Sequence, residues 1–182
     1  MSGTSASRAG LFPMPTAKDA KEVFEVSEPA HTPALGLIIG YGATLPFVAG
    51  AAPAGFFGDA GLAKTAANFT VVWGAAILLF LSGVRRGLSF RTPHGPTASQ
   101  IATSIWYFAA GFGALLLWTA REELGSARPA LALLLIGYVS VIALDVPAAR
   151  RLEAPPYFAR LRPLQMLIPI ACLGYLLIFG KG

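Results

Sequence analysis

The chain has 182 residues and a mass of 19.0 kDa; 55% of its residues are hydrophobic, 13% are charged and the mean hydropathy is +0.62. A soluble domain carries roughly 25% charged residues, so this chain has too few charges to cover a globular surface, which excludes a disordered chain, a coiled coil and almost any water-soluble enzyme. The net charge of +5 sits in short gaps between apolar runs, not in a stripe with interleaved aromatics, and so points to membrane loops and away from nucleic acid.

Residues 1–33 hold Pro13, Pro15, Pro29 and Pro33 and four acidic residues. They lack the apolar core and small-residue cleavage site of a secretory signal. The reading is a disordered cytoplasmic tail, with a short surface helix over Thr16–Val26 as the alternative.

Beyond the tail the charges act as punctuation. Thirty uncharged residues separate Glu28 from Asp59, 20 separate Lys64 from Arg85, 29 separate Arg91 from Arg121, and 18 separate Arg162 from Lys181. Arg128 and Arg150 enclose 21 residues interrupted only by Asp145. About 20 apolar residues cross the hydrocarbon core as a helix, and continuous runs without in-out alternation exclude barrel strands. The expectation is an all-α, five-helix polytopic transmembrane bundle over 34–182, with helices near 34–54, 66–84, 101–119, 130–147 and 164–180. The first carries Gly36, Gly40, Gly42, Pro46, Gly50 and Pro53 and is expected to kink or to run on into an interfacial segment at Phe56 and Phe57.

Five spans put the tail and the loops 85–100 and 148–163 on one side, with ten basic residues: Arg8, Lys18, Lys21, Arg85, Arg86, Arg91, Arg150, Arg151, Arg160 and Arg162. The other side has four: Lys64, Arg121, Arg128 and Lys181. Ten against four predicts a cytoplasmic N-terminus and a C-terminus on the far side of the membrane.

Asp145 is the one acid within a predicted span, and a carboxylate there is a functional candidate by default. It lies near the cytoplasmic end of its helix, at the depth of Arg85 and Arg86. A structural ion pair joining helix ends is the favoured reading, with a proton relay or substrate contact as the alternative. Arg85, Arg86, Asp145, Arg160 and Arg162 form the candidate polar cluster of this face. His31 and His94 fall outside the spans, where haem or metal ligation has nothing to build on, so no cofactor and no metal are expected. Cys172 is read as a small buried hydrophobe, and no phosphate loop or nucleophile elbow occurs. Gly36–Gly40 and Gly83–Gly87 have the four-residue spacing of helix seams. Trp73, Trp106, Tyr107, Trp118 and Tyr157 read as interfacial anchors, and Pro46 and Pro169 as helix bends.

Three segments together resemble a known family: Leu35–Phe47, Trp73–Gly87, and Asp145 followed by Pro156–Arg162. The chain is similar, over about 34–178, to the domain of unknown function 3429 family, which includes transmembrane protein 69 of mitochondria and many proteobacterial proteins. The family signature Tyr-Gly-Ala-x-Ile-Leu-Ser-Phe-Leu-Gly-Gly-x-(His/Arg)-Trp-Gly is matched by Gly74, Ala75, Ile77, Leu78, Phe80, Leu81, Gly83, Arg85 and Gly87. Trp73, Leu79, Ser82 and Arg86 depart from it. The resemblance implies a small five-helix membrane protein and no assigned activity, and the Ala- and Arg-rich sequence points to a bacterial inner membrane.

The expected function is that of a non-catalytic accessory or assembly subunit of a membrane complex, with the lipid bilayer and other membrane subunits as partners. A respiratory complex is the instance that mitochondrial relatives suggest. A small transporter or channel subunit is the alternative. A membrane enzyme acting on lipid or quinone comes third and would have to work with the five cluster residues.

Overall fold

The structure, a computed structural model, describes residues 34–56, 60–92 and 95–180. The expected tail, its helix at 16–26, Phe57, His31 and His94 lie outside the described residues. Within them the chain is all-helical: α1 (Ala34–Gly42), α2 (Leu45–Phe56), α3 (Ala60–Ser89), α4 (Ala98–Thr119), α5 (Arg128–Arg150) and α6 (Phe158–Phe179). Helices α1 and α2 follow each other as one span, and with α3 to α6 they make five segments long and apolar enough to cross a membrane. Large apolar side chains stand on the outside, among them Phe80, Ile105, Ile136, Leu164 and Ile178 at 55–68% exposure. In water that surface would be a large aggregation patch; in lipid it is the solvated face. The protein is an integral, multi-pass membrane protein.

The first span is two helices because of Pro46, and two of the carbonyls that the break frees find side-chain donors. Pro46 has no N–H to offer the carbonyl of Gly42. The chain tightens instead, with Thr44 N–H donating to Tyr41 O at 2.9 Å and Phe47 N–H to Thr44 O at 3.1 Å. That leaves the carbonyls of Gly40 and Ala43 without their usual donors. The Gln165 amide donates to Gly40 O at 2.7 Å and the Trp73 indole to Ala43 O at 3.0 Å. Unmet backbone groups are costly in hydrocarbon, so a break at this depth needs such partners. Pro46 thus sits in the first turn of α2, where proline is tolerated, and the bend falls just before it.

The other helices run past their expected ends: α3 begins six residues early and reaches Ser89, α5 reaches Arg150, and α6 begins at Phe158 instead of 164. Charges end an apolar run without ending a helix, because long basic side chains can reach water or a partner from a helical backbone. Arg85, Arg86, Arg160 and Arg162 are therefore helical residues and not loop residues.

The core forms where α3 meets α2, α4 and α5, with α6 closing against α2 and α5. Close approach depends on two glycines. A Cβ on Gly111 of α4 would stand 2.9 Å from Ala75 O of α3, and one on Gly137 of α5 would stand 2.6 Å from Leu78 Cδ1. The pairs chosen from sequence spacing do not supply this seam. Gly83 and Gly87 are exposed with nothing within 4 Å of a built Cβ, and Gly40 of the other pair meets the Gln165 side chain and no backbone. Around the seam Phe47 meets Tyr138 edge to face at 5.3 Å, and the Tyr138 hydroxyl donates to Gly74 O at 2.9 Å.

Two caps fix the end of the bundle that holds Asp145. At the start of α4, Thr97 and Gln100 form a reciprocal capping box. At the end of α5, Glu153 N–H donates to Ala148 O and Leu152 N–H to Ala149 O, at 2.9 and 3.2 Å, with Leu152 at φ 60°. This is a Schellman closure with leucine where glycine is the usual residue.

Candidate functional site

Asp145 lies on α5 about one turn before its C-terminus and is 1% exposed. Three other helices bring side chains to it. Tyr107 of α4 donates its hydroxyl to Oδ1 at 2.9 Å. Arg85 of α3 places Nε 3.6 Å from Oδ1, and Arg162 of α6 places Nε 3.3 Å from Oδ2. Arg162 continues outward: its Nη1 donates to Gln165 Oε1 at 3.2 Å, and its guanidinium lies over the Phe158 ring at 4.4 Å. Since Gln165 also holds the Gly40 carbonyl, the carboxylate on α5 meets α3, α4 and α6 directly and the first span through Arg162 and Gln165 in turn.

The electrostatics are unbalanced. Two guanidiniums face one carboxylate, and Arg85 and Arg162 are only 3% and 7% exposed. The contacts are charge to charge with poor alignment: Arg85 Nε and Nη1, Arg162 Nε and Asp145 Oδ2 make no hydrogen bond. The cluster therefore carries one surplus buried positive charge. The carbonyl ends of α3 and α5 lie on this side and offset part of it, within the reach of a helix's last turn.

Of the five residues singled out from sequence, three meet: Arg85, Asp145 and Arg162. Arg86 is exposed, stacks over Phe90 at 4.5 Å and turns towards Ser89 Oγ at 3.5 Å. Arg160 is exposed on the first turn of α6. Sequence reasoning missed Tyr107 and Gln165. Tyr107 is fully buried and is not an interfacial anchor. Its signal was the helical spacing of Gln100, Thr103, Ser104, Tyr107, Gly111 and Ala114, all buried along one face of α4. In lipid it is the polar and small face of a helix that turns inward.

Buried polar groups are also more numerous than the low charge content suggested, and they gather at this end. Ser82 and Ser104 exchange hydroxyl-to-carbonyl bonds of 2.8 and 3.0 Å between α3 and α4. Gln100 is held by Thr92 at 2.8 Å. A second cavity lies elsewhere, at the opposite end. It has about 370 Å³ and is lined by Lys64, Asn68, Arg121, Glu122, Ser126 and Arg128. Between the two ends the core is closed by Leu78, Leu134, Tyr138, Val141 and Leu173, all fully buried. Among the described residues no group of three or more His, Cys, Asp or Glu could hold a metal ion.

A family model described as a protein of unknown function (DUF3429) matches residues 32–178. No curated protein and no solved structure matches the chain.

Proposed function

The chain belongs to the DUF3429 family of proteins of unknown function, and from that premise we propose that it is a non-catalytic accessory or assembly subunit of a membrane complex. The observation that carries this reading is the closed apolar layer of Leu78, Leu134, Tyr138, Val141 and Leu173 between the Asp145 cluster and the opposite cavity. A transporter needs a polar route, or two halves that rock about a central site. Here the charged residues near the bilayer hold helices together at one end. Arg85, Asp145 and Arg162 act in this reading as a structural clamp that fixes the outer, lipid-facing surfaces against which a partner's helices would pack. Residues 1–33 are assigned as a separate tail, and 34–182 as the membrane domain.

The bilayer is proposed to be a bacterial inner membrane, with the Asp145 end in the cytoplasm by the ten-to-four basic asymmetry. Reporters test the orientation: one fused after Gly182 is active in the periplasm and one inserted near Ser89 in the cytoplasm. A cytoplasmic C-terminal reporter overturns it. The function is tested by purification in mild detergent through a tag on the N-terminus. Co-purification of membrane subunits in stoichiometric amount is expected. A lone protein that binds a solute overturns the accessory reading in favour of a small transporter.

A further inference from the structure

We propose that the groove beside Arg162 is a binding site for one anionic phospholipid, whose phosphate neutralises the surplus charge of the Arg85–Asp145–Arg162 cluster and whose acyl chain lies between α1, α3 and α6. This goes beyond the accessory role and does not depend on it.

Arg85 and Arg162 are more than nine-tenths buried, share one carboxylate, and leave Arg85 Nε, Arg85 Nη1 and Arg162 Nε without a hydrogen bond. A buried charge is tolerated when it is paired and hydrogen-bonded, and this cluster is short of one negative charge and of several acceptors. A phosphate beside Arg162 supplies the negative charge, and a guanidinium fork matches its oxygens. Arg162 belongs to the cluster and to the groove wall alike, so the surplus charge borders the cavity.

The shape of the groove selects the rest of the ligand. Its volume is about 200 Å³, below the roughly 300 Å³ at which compact small-molecule sites begin, and its wall is apolar except for Arg162, Gln165 and Tyr157. Ile39 of α1 and Phe80 of α3 stand on its rim, 61% and 64% exposed on the lipid-facing side. The groove therefore opens to lipid, with a cation at the end nearest the headgroups and hydrocarbon along its length. Basic pockets between membrane helices select anionic headgroups in this way.

The test is lipid retention by the full chain in mild detergent, titrated separately with phosphatidylglycerol and phosphatidylcholine and read by native mass spectrometry. The expected result is a preference of about tenfold or more for phosphatidylglycerol, about 1.4 kcal/mol, lost in Arg162→Gln. Gly36→Leu blocks the mouth of the groove without touching the charges, and it lowers retention of phosphatidylglycerol even if Arg162→Gln fails to fold. Equal retention of the two lipids by the unmodified chain overturns the proposal, as does full retention in Gly36→Leu. Inorganic phosphate that displaces phosphatidylglycerol at comparable concentration also overturns it, in favour of a soluble anion.

Discussion

At one end of the bundle Asp145, Arg85 and Arg162 are 1%, 3% and 7% exposed and join helices far apart in sequence. At the other end Glu122 is 87% exposed, and its ion pair is to the adjacent residue, Arg121, at 3.6 Å. The same residue types serve opposite purposes at the two ends. A dry pair is strong because breaking it strands a charge that water cannot reach. A wet pair is weak because water and salt replace the partner. Charge at the Asp145 end therefore determines which helices lie together, whereas charge at the Arg121 end lines an open basic cavity and leaves the packing to Leu131 and Leu176.

Asp145→Asn tests the dry end directly. It leaves two buried guanidiniums facing a neutral amide, and losing one partner of a well-buried pair costs about 3–5 kcal/mol. Thermal unfolding in detergent is expected to show a large drop in midpoint and a loss of folded yield. Adding Arg85→Gln to Asp145→Asn removes one stranded cation, so the double variant is expected to be less unstable than the two single losses summed. Unchanged stability in Asp145→Asn with loss of a cellular phenotype would mean that the carboxylate is a functional group and not a clamp.

Tyr107→Phe is the next largest. It removes one hydroxyl that donates to the carboxylate at 2.9 Å, and a hydrogen bond to a charged group contributes about 1.5–3 kcal/mol. A midpoint equal to that of the unmodified chain would show that water reaches Asp145 and that this end is not dry. Gln165→Leu strikes the same network one step out. It leaves the Gly40 carbonyl at the α1–α2 break without its donor, at a cost of about 1–3 kcal/mol. Faster hydrogen exchange at residues 40–47 than in α4 checks that the loss is local to the first span.

Much of this end could be read in the sequence, and the part that could not has a physical reason. The five spans follow from uncharged runs of membrane length, and Asp145 stands out because carboxylates are rare in such runs. Its pairing with a basic residue at equal depth followed from parity alone. The choice of Arg85 over Arg86 did not, because it depends on helical phase. Arg85 shares a face with Leu78, Leu81 and Ser82, which are buried, and Arg86 shares one with Gly83 and Phe90, which are exposed. Phase was legible only if α3 was carried through the arginines to Ser89, and ending it at the charge discarded that information. Arg162 falls outside the helix expected over 164–180 for the same reason. Tyr107 was lost differently: an aromatic with a hydroxyl suits a membrane interface as well as a buried acceptor, and only the polar stripe running from Gln100 along α4 separates the two. The seam glycines, Gly111 and Gly137, differ from Gly83 and Gly87 solely in what faces them.

The wet end responds far less to the loss of its acid. Glu122→Gln removes the acid of the Arg121 pair, whose side chains are 28% and 87% exposed. Exposed pairs contribute roughly 0–1 kcal/mol, so the unfolding midpoint is expected to stay close to that of the unmodified chain. Arg121 keeps its other partners, since its Nη1 donates to Trp118 O at 3.0 Å and its guanidinium lies over the Trp118 ring at 4.4 Å. Salt distinguishes the two ends more finely than either substitution alone. Raising ionic strength from about 0.15 to 1 M shortens the screening length from about 8 to 3 Å in solvent. That is enough to erase what remains of the Glu122 effect, while the Asp145→Asn deficit stays nearly constant because no mobile ion enters a site 1% exposed. If the Asp145→Asn deficit shrinks with salt as the Glu122→Gln one does, ions reach both ends, and the difference in burial is not what sets their strength.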